Sequence, residues 1–163
     1  MMIPFILPTL TAIENEILKE KSAVQNFPKV IDFPFSENYK TLVTQIKTTE
    51  ISSETILYNS VDAVNENKEF NLPEYWCFAG NEQGDRWFLD RDQKVFFYDH
   101  DDEGKLKPMH INFEEWLQMA FIIHQLDDCF DQYEHITEPV RQEFYKALNT
   151  IHPTLSDMYP FTL

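Results

Sequence analysis

Cysteine, glycine and positive charge are all scarce in this chain. The two cysteines, Cys77 and Cys129, fit neither a disulfide framework nor a four-ligand zinc site. Each lies in an apolar run, so we expect two buried free thiols and a reducing compartment, the cytoplasm. The apolar run at residues 1–8 has no basic leader and is interrupted by Pro4 and Pro8, which argues against a signal peptide or a membrane span.

Motifs of the common catalytic sites are also missing. The chain has no glycine-rich phosphate loop, no Gly-x-Ser-x-Gly, no His-Glu-x-x-His and no Cys-x-x-Cys. His100, His110 and His124 could be drawn together as ligands or as a general base, but no nucleophile in a recognisable context accompanies them. Scattered histidines of this kind are typical of structural or surface positions. The sequence therefore favours a binding function over an enzyme and implies no cofactor.

Acidic residues, in contrast, are abundant. They number 28 against 13 lysines and arginines, which gives a net charge of −15. This exceeds what solubility requires of a small domain. One interpretation is a solvated acidic surface, and the other is electrostatic complementarity to a basic partner. Direct binding to a nucleic-acid backbone is disfavoured because both surfaces would be negative.

The centre of the chain predicts an antiparallel meander. Three runs of aromatic and β-branched residues are separated by clusters of Gly, Asn and Asp. The runs cover residues 75–79, 86–89 and 95–98. The three glycines, Gly80, Gly84 and Gly104, all lie in these turns, where a positive φ is most often needed.

Helical periodicity flanks the meander on both sides. We predict helices over residues 9–25, 36–46, 60–68, from 113 onward, and 137–151, with a short strand at 54–58. These elements together predict one α+β domain over residues 1–163. It would contain a mostly antiparallel sheet of about four to six strands, with helices from both chain ends covering one face.

The helix that follows the meander has the clearest signals. Asn112 and Glu115 are spaced as a capping box, and apolar residues recur on one face after them. We predict that it fails near 127–128, because Asp127 and Asp131 would repel each other across one turn. One core should unite the large residues of helix and strands. Its predicted members are Phe78, Trp87 or Phe88, Val95, Phe97, Phe113, Trp116 and Leu117.

Residues 72–117 also carry a family resemblance. Its marks are Phe78-Ala79, Gly84-Asp85, Leu89-Asp90, the run from Val95 to Tyr98 into Asp99-His100-Asp101, and Phe113 with Leu117. This stretch resembles the SMI1/KNR4 (SUKH) superfamily. Two family features differ upstream, where Phe33-Pro34 and Tyr39 have a longer spacer and Thr48-Thr49 replaces a glycine pair.

The resemblance implies protein binding without enzyme activity. Members of that superfamily are implicated as immunity proteins that neutralise toxins of bacterial polymorphic and contact-dependent systems, and some eukaryotic members act as regulatory scaffolds. We therefore expect an immunity protein that binds a basic toxin, with a nuclease favoured. A regulatory scaffold without a toxin partner is the alternative.

Two acidic clusters are the candidate partner-binding residues. The first comprises Asp99, Asp101, Asp102 and Glu103, and the second comprises Asp127, Asp128 and Asp131. The first resembles a calcium loop in part, but its twelfth position is His110 where a bidentate Glu is required. We therefore expect no metal. A solvated turn remains the plain interpretation of the first cluster, and a metal-dependent enzyme is the least favoured one.

Overall fold

The computed structural model describes residues 5–102 and 105–163, which form a single α+β domain. The described residues contain one antiparallel sheet of six strands, and the order of the strands in the sheet is their order in the chain. The strands are β1 (Thr49–Ser52), β2 (Thr55–Leu57), β3 (Tyr75–Gly80), β4 (Arg86–Asp90), β5 (Lys94–Tyr98) and β6 (Leu106–Asn112). The predicted fold class is therefore confirmed.

The helices come from both sides of the meander. They are α1 (Leu10–Ile17), α2 (Glu37–Val43), α3 (Ser60–Asn67), α4 (Phe113–Tyr133), α5 (Glu138–Ile151) and α6 (Leu155–Met158), and a 3-10 turn (Leu18–Glu20) follows α1. None of the helices in the described ranges is both long enough and apolar enough to cross a membrane.

Two of the turn glycines are described, and they have different roles. Gly84 has φ of +100°, as the turn between β3 and β4 requires. Gly80 does not have a positive φ, and the prediction was wrong there. A Cβ at Gly80 would instead overlap the hydroxyl of Tyr58 and lie 3.0 Å from the backbone oxygen of Asp85, so glycine allows close packing here. Gly104 lies outside the described residues.

The first predicted helix is shorter than expected. The prediction of a helix to residue 25 was wrong, because α1 ends at Ile17 and the 3-10 turn follows. After the 3-10 turn, the backbone pairs with the segment that follows α2. Lys21 forms an isolated bridge with Ile46, and Ser22 N–H donates to Gln45 C=O at 2.8 Å. The same pairing ends α2 at Val43 rather than at residue 46.

The predicted core residues are all buried. Phe78, Val95, Phe97, Phe113, Trp116 and Leu117 belong to one cluster, as does Trp87 of the alternative pair. Phe88 is buried as well but points to the opposite face of the sheet, where its ring lies 5.2 Å from that of Phe70. The predicted buried thiols are also confirmed, since Cys77 and Cys129 are both free and buried.

Helix α4 is the longest element and covers the sheet. Its capping box is confirmed, because Asn112 Oδ1 accepts from Glu115 N–H at 2.9 Å and Glu115 Oε1 accepts from Asn112 N–H at 3.0 Å. Near the C-terminal half of α4, Gln125 holds the N-terminal segment, with its Nε2 donating to Ile6 C=O and its Oε1 accepting from Ile6 N–H, both at 2.8 Å.

The predicted end of α4 near residue 127 was wrong, since the helix runs to Tyr133. Leu126 and Cys129 are both buried and continue its apolar face. Burial of a large aliphatic side chain stabilises by about 1.5–3 kcal/mol, whereas like charges one turn apart cost only about 0.2–0.5 kcal/mol. The helix ends where Glu134 adopts the left-handed conformation at φ of 61°. Helix α5 begins after Thr137 and ends at Ile151, as predicted.

Candidate functional site

Three of the turns lie at one end of the sheet. In an antiparallel meander, alternate connections share an end, so the turns after β1, β3 and β5 are neighbours. They contain residues 53–54, 81–85 and 99–102 of the described chain. Helix α4 starts at the other end and returns Asp127 to the first of these turns, where Asp127 binds Ser53. We call residues 53–54, 81–85 and 99–102, together with residues 127–131 of α4, the acidic end.

Asn81 organises the middle turn. Its Oδ1 accepts from the N–H groups of Gln83 at 3.1 Å and Asp85 at 3.0 Å, and its Nδ2 donates to Asp85 Oδ2 at 3.0 Å. An Asn side chain that bonds its own downstream backbone closes a turn locally. The same Nδ2 also donates to Glu54 Oε1 at 3.3 Å, so the first and middle turns are joined.

Asp85 joins the middle turn to the third. Its Oδ1 accepts from His100 N–H at 3.1 Å and lies 2.7 Å from His100 Nδ1. Burial alone would raise the pKa of Asp85, but the hydrogen bonds from Asn81 and His100 outweigh it, and the pKa is lowered. The hydrogen bond that its ring makes to Asp85 raises the pKa of His100, and the charges of nearby carboxylates add to this. An Asp–His pair therefore fixes the start of the first predicted cluster.

The residues of the first predicted cluster surround this pair. Asp99 Oδ1 accepts from Asp101 N–H at 2.9 Å and shapes the turn. Asp101 is exposed and lies 3.3 Å from His100 Nε2, and Asp102 Oδ1 lies 3.4 Å from Lys105 Nζ. Glu103, the remaining predicted residue, lies outside the described part of the chain.

The second predicted cluster divides into one structural and two exposed residues. Asp127 accepts from Ser53 N–H and from Ser53 Oγ, each at 2.8 Å, and so binds α4 to the first turn. Asp128 is exposed, 3.7 Å from His124 on the preceding turn of the helix, and Asp131 is also exposed. Acidic residues in the last turns of a helix face the negative end of its dipole, which is unfavourable for folding.

The structure adds a carboxylate that the sequence analysis missed. Glu54 is half-buried beside the other acidic groups. Loss of hydration raises the pKa of Glu54 to about 7, the charges of Asp85 and Asp127 add to the effect, and the bond from Asn81 opposes it. Sequence reasoning placed Glu54 only at the start of a predicted strand, and no local motif distinguishes it.

A cation could contact three of these side chains. Asp85, Asp99 and His100 each offer a ligand atom, and the three atoms lie within 4.8 Å of one another. In the arrangement seen, Asp85 is already bonded to Asn81 and twice to His100, as given above. A cation would have to displace the His100 ring from Asp85, so the geometry fits an ion pair better than a preformed oxygen site.

The basic side chains of Arg86 and Lys105, described near the acidic end, already pair with carboxylates. Arg86, the first residue of β4, donates from Nε to Glu66 Oε2 at 3.0 Å, and Lys105 is close to Asp102. Among the described residues, neither Glu54 nor Asp127 has a lysine or arginine partner. The acidic end therefore carries excess negative charge that could attract a basic surface.

The chain was also compared with protein-family models, curated proteins and solved structures, and no match was found in any of the three. The SMI1/KNR4 resemblance therefore stays a prediction from the residues at 72–117.

Proposed function

We propose that this protein is a non-enzymatic binding domain whose acidic end covers a basic surface on another protein. The observation that carries the proposal is that acidic residues far apart in the chain meet at one end of the sheet, where Ser53 N–H donates to Asp127 and His100 N–H donates to Asp85. Asn81 joins the two pairs, because its side chain donates to both Glu54 and Asp85. Glu54 adds a third carboxylate between them. The charges of Asp85 and Asp127 disfavour ionisation of Glu54, and an opposite charge from a partner would relieve that repulsion.

The partner that best fits this surface and the family resemblance is a toxin, so the protein would act as an immunity protein. A nuclease is the favoured kind, because it must present Lys and Arg to grip phosphates, and clustered carboxylates can occupy the same cleft. The two free thiols fit a cytoplasmic location, where such a toxin would have to be neutralised.

Charge reversal at the exposed part of the acidic end tests the proposal. The first partner to try is a toxin encoded beside this protein. Asp101→Lys/Asp102→Lys and, separately, Asp128→Lys/Asp131→Lys should each slow association and weaken binding at least tenfold at low salt, with a smaller effect at high salt. Asp127 is left unchanged because its bonds to Ser53 serve folding.

A matched control comes from the opposite end of the sheet. Asp92 lies in the turn after β4, and Asp32 is held at that turn because Arg91 Nη2 donates to the Asp32 carbonyl at 3.4 Å. Both are exposed, so Asp32→Lys/Asp92→Lys changes the net charge by the same amount without touching the acidic end. Equal losses in the control and in the acidic-end variants would assign the effect to net charge alone and contradict the proposal. Undiminished binding in both acidic-end variants would also contradict it.

A regulatory scaffold is the alternative, and it would use the same surface. It differs in having a partner other than a toxin, so the absence of protection against any toxin, together with salt-dependent binding of another basic protein, would favour it.

A metal-dependent function is a further candidate, because Asp85, Asp99 and His100 could each offer a ligand atom. Stoichiometric Zn²⁺ or Ca²⁺ by elemental analysis of protein purified without chelator would support that candidate.

A further inference from the structure

A small pocket opens beside the acidic end. It has a volume of about 220 Å³ and lies between the C-terminal half of α4 and the last residues of the chain. Its walls are mainly Leu126 and Phe130 of α4 with Tyr159 and Phe161 of the C-terminal segment, and Glu54 and Asp127 lie at its polar side. We call this the Glu54 pocket. Sites for drug-sized ligands occupy about 300–1,000 Å³, so its size suits one side chain.

The polar side of the Glu54 pocket is negative. The Glu54 side chain bonds to Asn81 Nδ2 at 3.3 Å, and within residues 5–102 and 105–163 it has no cationic partner. Asp127 lines the same pocket with its two oxygens directed to Ser53. Carboxylate oxygens have lone pairs for more than one donor, so both side chains can accept further hydrogen bonds.

The apolar side of the pocket is partly open. Phe130 is 51% exposed, although it lies on the same helix as the buried core residues. Tyr159 lines the same pocket as Glu54 and Asp127. Burial raises the pKa of its hydroxyl, and the charges of those two carboxylates add to the rise. The C-terminal wall is anchored, because Arg141 Nη2 donates to the carbonyl of Leu163 at 3.3 Å.

These two sides match the two parts of an arginine side chain. Its alkyl stem can lie along apolar and aromatic walls while the charged head stays near polar groups. The planar guanidinium has five donors, is weakly hydrated and stacks on aromatic rings, so it suits a pocket with two carboxylates better than a lysine ammonium does. Charge complementarity therefore points to a cation, and the shape and aromatic walls point to arginine.

We propose that the Glu54 pocket receives one arginine side chain of the partner protein, with the guanidinium at Glu54 and Asp127 and the alkyl stem against Phe130. The choice of a protein as the source of the arginine rests on the proposed function. The pocket itself rests on separate observations, so the two can fail separately.

The first test uses a small probe and does not require the partner. N-acetyl-L-arginine methylamide is titrated into the ¹⁵N-labelled protein to 100 mM at constant ionic strength and pH 8, and amide shifts are followed by NMR. We expect saturable shifts at Ser53, Glu54 and Phe130. The citrulline analogue, which has the same shape without the charge, should bind at least tenfold more weakly. Absence of saturable shifts at these residues, or equal shifts with citrulline, would overturn the pocket.

The second test uses a conservative variant. Glu54→Gln keeps the shape of the side chain and removes its charge, so it should weaken the arginine probe about tenfold, as expected for loss of one charge-assisted hydrogen bond. Asp92→Asn removes a charge in the exposed turn after β4, at the opposite end of the sheet, and should leave probe binding unchanged. An equal effect of the two variants would overturn the assignment to Glu54.

Binding measurements with the partner protein then distinguish the pocket inference from the proposed function. If the inference holds, Glu54→Gln also weakens partner binding about tenfold or more. If Glu54→Gln leaves partner binding intact while the lysine variants at Asp101 and Asp102 abolish it, the pocket inference fails and the proposed function stands. If the arginine probe binds but no acidic-end variant affects a partner, the proposed function fails and the pocket has no partner arginine to receive.

Discussion

The sheet face beneath α4 and the acidic end of the same sheet are built on opposite principles. Under α4, Trp116 is fully buried, with its ring 4.7 Å from Phe78 and 6.0 Å from Trp87. At the acidic end, Glu54 is half-buried near two other carboxylates and has no cation among the described residues. One region gains stability from dense packing, and the other holds charge at a cost. Regions that cost stability are common at functional sites, where that cost is balanced by packing elsewhere.

The largest effect should come from truncation beneath α4. Trp116→Ala would leave a cavity between the helix and β3 and should lower the free energy of unfolding by about 3–5 kcal/mol. Phe130→Ala on the same helix should change it by less than about 1 kcal/mol, because Phe130 is half-exposed. Urea denaturation followed by circular dichroism measures both. Similar losses in the two variants would mean that stability is not concentrated beneath α4.

Trp116→Phe sharpens this test. Within the described residues, the buried indole N–H of Trp116 has no hydrogen-bond acceptor, and an unpaired buried donor costs about 1–3 kcal/mol. The phenylalanine ring refills part of the space and removes that donor. The variant should therefore recover a large part of the stability that Trp116→Ala loses.

An intermediate effect of opposite sign is expected at Glu54. The pKa of Glu54 rises from 4.5 to about 7 on folding, chiefly through loss of hydration. Between pH 4.5 and pH 7, therefore, Glu54 keeps its proton in the folded state and has lost it in the unfolded chain. The stability contributed by the protonated form is thus complete below pH 4.5 and is lost as pH rises through 7. Glu54→Gln cannot ionise and does not lose it.

Glu54→Gln should match the parent protein at pH 4.5 and exceed it at pH 8. The gain should be about 1 kcal/mol, less than the full pKa shift would give, because solvent reaches part of the carboxylate. Urea midpoints at the two pH values measure it, and Asp92→Asn, which removes one charge in the turn after β4, is the control for net charge. A Glu54→Gln variant that is less stable at pH 8 would show that the acidic end supports the fold.

The smallest effect is expected at the end of α4. Glu134 adopts φ of 61°, where a residue with a Cβ is strained, and its charge adds to the negative end of the helix. Glu134→Gly should raise the free energy of unfolding by up to about 1 kcal/mol. Thermal melts of this variant and of exposed Glu138→Gly, which lies in the first turn of α5 and should be destabilised, give the comparison.

Elements with both an internal pattern and clear end signals could be predicted from the sequence. Helix α5 has Thr137 and Pro139 at its start and Pro153 after its end, and β3 to β5 have turn residues between aromatic runs. Strand β6 was not predicted, because only Met109 and Ile111 are buried in it while Lys107 and Pro108 interrupt the pattern. Strand β1 has four residues, too few for a period to show.

The candidate site was less predictable than the fold for a physical reason. The acidic clusters are visible as composition, but their meeting depends on α4 continuing past Asp127 and on Ser53 lying at the same end of the sheet. The length of α4 and the position of Ser53 are determined by burial and by the topology of the sheet. Neither can be inferred from the repulsion between neighbouring charges in the sequence. Glu54 was missed for the same reason, since the features that make it unusual are neighbours distant in sequence, Asp85 and Asp127.

The order of strands in the sheet also has a consequence for how the chain reaches this structure. Since each strand pairs with the strand before it in the chain, most sheet contacts close short loops, and such topologies fold fast for a β-rich protein. The two bonds between Ile6 and Gln125 span 119 positions and close a far longer loop. We therefore expect the hairpins to form first and the N-terminal segment to dock last. In the native state that segment should exchange its amide protons sooner than the strands beneath α4.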